Sequence, residues 1–530
     1  MMIEYKPGQA PSRGATGPRG DARLLAAILA AVAAGCTTVG PNFKPPAAPS
    51  VAGYTSPGGR TAPAVDVEGA TPGPAFAPGA KVTADWWTLF RSPDLDRLVK
   101  QAIAGSPTIE SAQARLAEAR EGIAEARSAL YPQVSFNAGI AEERQSAAAF
   151  GLAPQVFPLP SSFNLFQVGP TASYSLDLFG GARRRIEKQA ALADLQRDQL
   201  DAAYLVLTGD TVRQAIEVAA VRAQLKAVND ILDIDRQNLD LVRKERHAGT
   251  VPDSDVVTAE SQLAADETLR PPLDQQLSVA RHALAVLTGR APGDWSPPDF
   301  DLAALTLPGQ LPVSLPSELV HQRPDILAAE AELHAASAQI GVATAQLYPE
   351  ITLSAGISAS SLNGGALFSP AGLVWSVAAG LTQPLFDGGL RRAQRRAALA
   401  DFKASAADYK QTVLLSFGQV ADILQALTHD ADMLAAQQHA LELASESERL
   451  QRINYSAGGV GILPLLDAQR QYQQARLGFA RAQGQRYQDT GQLFVAIGGG
   501  WWSANLAVTD NDSRPPAAPK SIEPKFVNYK

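Results

Sequence analysis

"ALYPQVSFNAGI" occupies residues 129–140 and "QLYPEITLSAGI" residues 346–357. Their tyrosines, Tyr131 and Tyr348, lie 217 residues apart. Each stretch closes a helical segment, 95–129 in the first case and 327–346 in the second, and opens a segment of different period. Proline lacks a backbone donor and pushes its predecessor into extended geometry, so Pro132 and Pro349 mark where helix gives way to strand. Beyond them Val134, Phe136, Ala138 and Ile140 alternate with Ser135, Asn137 and Gly139, and Ile351, Leu353, Ala355 and Ile357 repeat the alternation. Period two is the signature of a strand with one apolar face.

The pair is not isolated. "SLDLFGGARRR" (175–185) returns as "TQPLFDGGLRR" (382–392), "HAGTVPDSDV" (247–256) as "SAGGVGILPLLDA" (456–468), and "SPTIESAQARL" (106–116) as "RPDILAAEAEL" (323–333). Matched blocks in one order imply an internal duplication. The offset shrinks from 217 to about 209 after the strands, so the extra residues of the first copy belong to its strand-to-strand loop. Two further strands follow the same rule: Phe166, Val168, Pro170, Ala172, Tyr174 and Leu176 in the first copy, and Leu373, Trp375, Val377, Ala379 and Leu381 in the second. The four strands are expected at about 133–143, 165–178, 350–359 and 372–386.

Long helices come next. Residues 181–248 contain no proline, which at 1.5 Å per residue gives about 100 Å of helix, and 388–463 is the proline-free counterpart. Leu225, Val228, Leu232, Asp235, Leu239 and Val242 step by three and four, as do Val420, Leu424, Leu427, Ala431 and Leu434, which is coiled-coil spacing. Each helix reverses at a glycine-containing turn (Gly249; Gly458, Gly459 and Gly461) into a shorter return, 255–289 or 465–497. Pro271 and Pro272 must kink or break the first return.

The N-terminus carries Lys6, Arg13, Arg19 and Arg23 ahead of the apolar run 24–35, which is signal-peptide length and too short to span a bilayer. The run ends at Cys36, the chain's single cysteine, so no internal disulfide exists and acylation of Cys36 explains it better. "AAGC" resembles a bacterial lipoprotein processing site, although Ala33 stands where a bulkier residue is usual. No cofactor is expected beyond that covalent lipid. The organisation expected is a signal peptide (1–35), an acylated tether (36–84), a first repeat (85–289, hairpin about 181–285), a proline-rich connector (290–316), a second repeat (317–497, hairpin about 389–497) and a tail (498–530).

A net charge of −7 and the lack of a basic, aromatic-studded face argue against a nucleic-acid partner. Six histidines show no metal-ligand spacing, and neither a P-loop nor GxSxG is present, so no enzyme is expected; His321 and His334 read as surface positions. The strands' polar faces are Ser, Thr, Asn, Gln and Gly, which suits a wet lumen better than bulk solvent. Strands in lipid must close to pair every backbone group, and four cannot; a membrane barrel needs roughly eight or more. The strands must be pooled: two chains would supply 8 and three would supply 12. Packing the apolar faces on a helix is the competing arrangement.

Several stretches resemble the TolC-like outer-membrane efflux channels, in particular the OprM/NodT-like lipoprotein branch serving RND-type pumps. They are residues 85–103, the two Tyr-Pro blocks, "LDLFGGARRR", "LAVLTGRAPG" (284–293), "LPSELVHQRPDILAAEAEL" (315–333), "PLFDGG", "LLDAQRQY" (465–472) and "AIGGGWW" (496–502). The resemblance implies a mixed fold: a homotrimer sharing a membrane β-barrel of four strands per chain, continued by a long periplasmic α-helical barrel of coiled-coil hairpins. It implies a Gram-negative outer membrane, passive conduction, and partnership with a periplasmic adaptor and an inner-membrane RND-type transporter. A type I protein secretion channel and a lipid-anchored periplasmic scaffold without a pore are the alternatives. It also implies a periplasmic gate at positions mapping onto Leu463 and Asp467, with Pro464 where some relatives carry another acid. The turns His247, Ala248, Gly249, Thr250 and Ser456, Ala457, Gly458, Gly459 are expected to meet the adaptor. Asp467 serving its helix's first turn and Leu463 packing in a seam is the plainer account. Arg183, Arg184, Arg185, Arg391, Arg392, Arg395 and Arg396 open the long helices, where the dipole disfavours cations, so they read as a solvated collar or as anchors to inner-leaflet headgroups.

Overall fold

The computed structural model describes residues 38–51, 53–54, 75–80, 82–144 and 162–500. Cys36, the signal segment, the loop 145–161 and the tail 501–530 lie outside the described residues. The chain forms two compact units: one gathers residues up to Lys44, Ala119–Ala193 and Glu332–Ser405, the other Pro45–Glu118, Asp194–Ala331 and the residues from Ala406 on.

The first unit holds a four-stranded antiparallel sheet. Its strands are β2 (Gln133–Glu143), β3 (Phe163–Leu176), β5 (Glu350–Ser361) and β6 (Leu373–Thr382), in the order β2-β3-β5-β6. Register puts Phe136 opposite Pro170, Tyr174 opposite Leu353 and Ile357 opposite Trp375, so the apolar residues of all four strands share one face. That face is uncovered: Val134, Phe136, Ile140, Leu353, Trp375, Val377 and Leu381 are all exposed. The other face carries a short polar network, with Ser135 and Thr171 hydroxyls 3.0 Å apart, Asn137 donating to Thr171 (2.9 Å) and Ser175 donating to Glu350 (2.8 Å). Among the described residues no helix covers that face, contrary to the competing arrangement.

The second unit is built on a core of Trp86, Phe90, Leu95, Leu98, Ile216, Leu284, Leu311, Leu319, Phe494 and Ile497. Trp86 stacks on Phe494 at 5.1 Å. Two segments read from sequence as irregular meet here: β1 (Ala75–Pro78), in the expected tether, pairs parallel with β4 (Gln310–Val313), in the expected connector. Tyr54 adds a hydrogen bond to the Ser314 carbonyl (2.7 Å) and an edge contact to Phe417. Apolar residues spaced by alternation, Phe76 and Leu311, do in a partner's company what neither proline-rich stretch could do alone.

The helices are α1 (Pro93–Gly105), α2 (Pro107–Ser128), α3 (Gly181–His247), α4 (Asp253–Glu267), α5 (Arg270–Leu287), α6 (Pro316–Leu319), α7 (Pro324–Ala345), α8 (Leu390–Ser456) and α9 (Ile462–Ala496). The expected single helix over 95–129 is two, because Pro107 holds Ser106 in extended geometry and starts a new first turn. The first return breaks after Glu267 and resumes at Arg270, which leads into the Pro271–Pro272 pair.

Two carboxyl pairs sit between helices of the second unit. Burial, then the neighbouring Asp266, pushes Asp235 up to about 7. Burial, then Asp489, pushes Asp430 up to about 8, against the opposing pull of Arg486. A raised carboxyl means the folded chain holds a proton that the unfolded chain, near the ordinary value of about 4, has released. Stability should therefore fall as pH rises from about 4 through about 8. Asp430→Asn is expected to flatten that decline, measured as melting temperature of the detergent-solubilised protein at about pH 5 and pH 8. An unchanged slope would show that Asp430 does not carry it.

Candidate functional site

Both long helices end identically. Thr250 N–H donates to Glu245 and Gly249 N–H to Arg246 (3.0 and 2.9 Å); Gly459 donates to Asn454 and Gly458 to Tyr455 (both 2.9 Å). These are Schellman closures, which need a left-handed residue at the reversal. Gly249 (φ +76°) and Gly458 (φ +73°) supply it, with open space around each. His247, Ala248, Gly249 and Thr250 are exposed, as are Ala457, Gly458 and Gly459, while Ser456 turns its hydroxyl to the Ile453 carbonyl (2.8 Å). The Tyr455 hydroxyl donates to the Glu245 carboxylate, tying the two helix ends together. Burial, then that carboxylate, pushes the phenol up to about 12.

Behind the turns, Leu239 and Val242 of α3, Ala259 of α4, and Ile462 and Leu465 of α9 form one buried cluster. Leu463 lies between two of those buried residues in sequence yet is 50% exposed. Asp467 stands one turn further along the same face of α9, also exposed. Its carboxylate pairs with Arg470 and accepts from Gln471 (2.8 Å). Sequence reading missed Arg470, although its three-residue spacing from Asp467 was visible. Further along α9, buried Gln469 accepts from Asn238 (2.6 Å), and Gln473 is buried with both amide atoms unpartnered.

Arg183, Arg185, Arg392, Arg395 and Arg396 are exposed, as a solvated collar would be, while Arg184 departs from both expectations. Asp177 accepts from the amides of Ala182 and Arg183 (2.9 and 3.0 Å), and Asp387 from those of Gly389 and Arg391 (2.9 and 3.2 Å). Those carboxylates satisfy the first-turn donors and offset the dipole. The backbone bonds from Arg391 and Gly389 hold Asp387 below the usual carboxylate range. Arg184 is only 3% exposed, hence neither solvated nor free for a headgroup. Its guanidinium donates to the carbonyls of Val39 and Gly40 (3.1 and 3.2 Å), to Asn42 (2.8 Å) and to Glu187 (2.6 Å). Phe43 stacks on His334 at 4.4 Å, and His334 Nε2 lies 3.1 Å from Glu187. His334 is thus half-buried and engaged, not a free surface position. Gly40 (φ +94°) lies so close to Gly341 of α7 that a Cβ would fall 2.5 Å from its Cα. The segment 38–43 is therefore docked.

Removing one partner of such a buried charge network costs about 3–5 kcal/mol. Arg184→Ala is expected to raise amide hydrogen exchange across residues 38–43, whereas Arg185→Ala, at an exposed neighbour, is not. Equal protection in both variants would show that Arg184 does not hold the segment.

Among the described residues, no group of three or more His, Cys, Asp or Glu side chains is placed to hold a metal ion. None of their helices is long and apolar enough to cross a membrane.

Comparison with known proteins gives a consistent picture. A family model described as outer membrane efflux protein matches residues 98–290 and 315–499. The pyoverdine export outer membrane protein OpmQ of Pseudomonas aeruginosa is 29% identical over 429 residues, covering 81% of this chain and 90% of that protein. Nodulation protein T of Rhizobium leguminosarum bv. viciae is 27% identical over 513 residues, covering 94% and 98%. The solved structure of the outer-membrane channel OprN superposes with a TM-score of 0.77 at 28% identity, covering 88% of this chain and all of that one.

Proposed function

The chain belongs to the outer membrane efflux protein family, and we propose that it is the outer-membrane channel of a tripartite efflux system. Substrates would pass through it without chemistry, delivered by an inner-membrane RND-type transporter and a periplasmic adaptor. One observation carries this reading: among the described residues, a sheet of four strands with an apolar face left bare, a small polar face opposite, and β2 and β6 as its outer strands.

Such a sheet is stable in neither water nor lipid by itself. In water it exposes Phe136, Trp375 and Leu381. In lipid its edges would leave backbone donors and acceptors unpaired, at several kcal/mol each. Sharing a barrel among copies removes both defects. Three copies give 12 strands and a bore wide enough to conduct, whereas eight strands leave an interior that side chains fill. The duplication then supplies two like staves per chain, from residues 85–289 and 317–497, and an even wall. The small hydroxyl and amide groups, Ser135, Asn137 and Thr171 among them, would line the water.

Acylation at Cys36 would add a second hold on the membrane, with the docked segment 38–43 fixing where the lipid enters relative to the sheet. The exposed glycine turns, 247–250 and 456–459, would take the adaptor, because glycines with open space around them let another backbone approach closely. Leu463 and Asp467 would form the constriction behind them.

The test is purification from membranes. Detergent dependence, a trimeric native mass and ion conductance in planar bilayers are expected. A monomer released without detergent from unacylated chains would overturn the reading.

A further inference from the structure

A polar layer interrupts the apolar seam of the first helical hairpin, and we propose that this layer is a proton-operated joint. With one proton shared between Asp235 and Asp266 the joint is closed; when that proton leaves, α4 parts from α3 and the tip of the hairpin loosens while its shaft stays packed. The inference goes beyond the channel reading, since it concerns the hairpin whatever the pore conducts.

Asp235 occupies a seam position of α3, in step with Val228, Leu232, Leu239 and Val242. On the shaft side, Val221, Leu225, Val228 and Leu232 pack with Leu273 of α5 and Leu477 of α9. On the tip side, Leu239 and Val242 pack with Ala259 of α4 and with Ile462 and Leu465 of α9. Leu263 is the one residue packed against both clusters.

Between the clusters each of the three helices offers polar side chains. From α9 come Gln469, which accepts from Asn238 of α3 (2.6 Å), and Gln473. Gln473 shares a stripe with Gln469, four residues before it, and Leu477, four residues after, which sets it level with Asp235. It is only 5% exposed, and both its amide atoms are unpartnered, as is one carboxyl oxygen of Asp235. From α4 comes Asp266, whose carboxyl lies within hydrogen-bonding reach of Asp235 and accepts from Gln262 (2.7 Å).

Two carboxylates facing each other in such a layer repel, and the neighbouring cations are already engaged. Arg236 pairs with Asp233 and Glu267 (3.2 and 3.8 Å), and Arg243 with Glu260 (2.6 Å). Arg476 of α9 pairs with Asp230. Asp266 also stands in the last turn of α4, where the helix dipole disfavours an anion. One proton between the two carboxyls removes the repulsion and supplies the missing donor, in a hydrogen bond that a low dielectric strengthens. Burial, then Asp266, pushes Asp235 up to about 7, so that proton is lost across the neutral range.

The backbone gives the layer somewhere to move. α4 ends one residue after Asp266, and the amides of Thr268 and Leu269 donate only three residues back, to the carbonyls of Ala265 and Asp266 (3.2 and 3.0 Å). Pro271 and Pro272 follow, without amide donors of their own. A helix interrupted at the level where its seam turns polar bends there with the fewest bonds broken. The tip beyond carries the glycine turn 247–250.

The test is hydrogen exchange on the full chain in detergent, expressed as protection factors, which divide out the intrinsic effect of pH. Between about pH 6 and about pH 8, protection across residues 253–267 is expected to fall about tenfold, the loss for one proton released around 7, while residues 212–225 of α3 change by less than about twofold. Asp235→Asn keeps the shape and donates to the Asp266 carboxylate without a titrating proton, so its tip protection should stay level across that range. Asp266→Asn should do the same. Asp430→Asn, in the other carboxyl pair, should leave the fall at the tip intact. Level protection in the unsubstituted chain overturns the joint, as does a fall shared equally by residues 212–225. The same fall in both Asn variants of the pair, or its loss in Asp430→Asn, overturns the assignment to Asp235 and Asp266.

Discussion

Val377→Lys is expected to abolish recovery of the protein from the membrane fraction, whereas Ser376→Lys, one residue away, is expected to leave recovery intact. Val377 lies near the middle of β6, opposite Ala355 and 76% exposed, on the face that also carries Trp375 and Leu381. If that face meets lipid, a lysine near the bilayer midplane costs about 2–4 kcal/mol in each chain. Three copies triple the penalty, which brings it level with the whole stability of a typical domain, about 5–15 kcal/mol. Ser376 points to the small polar face, opposite Gly356, where an ammonium would stay in water. That substitution should instead shift the pore's ion selectivity toward anions. Comparing detergent-extracted, membrane-pelleted protein for the two variants checks the assignment. Equal recovery would mean that the apolar face does not contact lipid.

The sheet was legible because alternation is a local property. Val134, Phe136, Ala138 and Ile140 announce a face whatever lies around them, and β2 starts directly after the Tyr-Pro pair. Long helices were legible for the same reason, since absence of proline and three-four spacing need no knowledge of partners. What stayed hidden was contact between distant residues. Arg184 reads as one of three adjacent cations, and only its carbonyl partners at Val39 and Gly40, more than 140 residues earlier, show it to be a clamp. His334 reads as a surface residue until Phe43 and Glu187 are placed beside it. The pairing of β1 with β4 is hidden likewise, because two proline-rich stretches gain order only from each other. At the helix tips the reading was partial. The glycine turns follow from the sequence, but Leu463 and Asp467 are reached only through the resemblance, and Asp467 reads there as a lone carboxylate when its cationic neighbour sits three residues on.

That neighbour would give the proposed constriction a sharper signature than an acid ring alone. Leu463 and Asp467 lie one turn apart on α9, both exposed, behind the turns that close the long helices. A ring of leucines resists wetting and a ring of carboxylates draws cations. Here each carboxylate is already paired with Arg470, so its field is largely cancelled while the pair is intact. Leu463→Ala with Asp467→Ser is accordingly expected to raise single-channel conductance several-fold, since it would remove the proposed apolar ring and break the Asp467–Arg470 pair. Asp467→Ser alone leaves Arg470 unneutralised, and the reversal potential in a salt gradient should move toward anion preference. Arg470→Gln alone should move it the opposite way. A Coulomb interaction at surface contact distance is worth roughly 1–4 kcal/mol, enough for about a tenfold change in ion preference. Conductance unchanged by the double substitution would remove these residues from the gate. A pore whose preference ignores both single charges would place the constriction elsewhere on the helices.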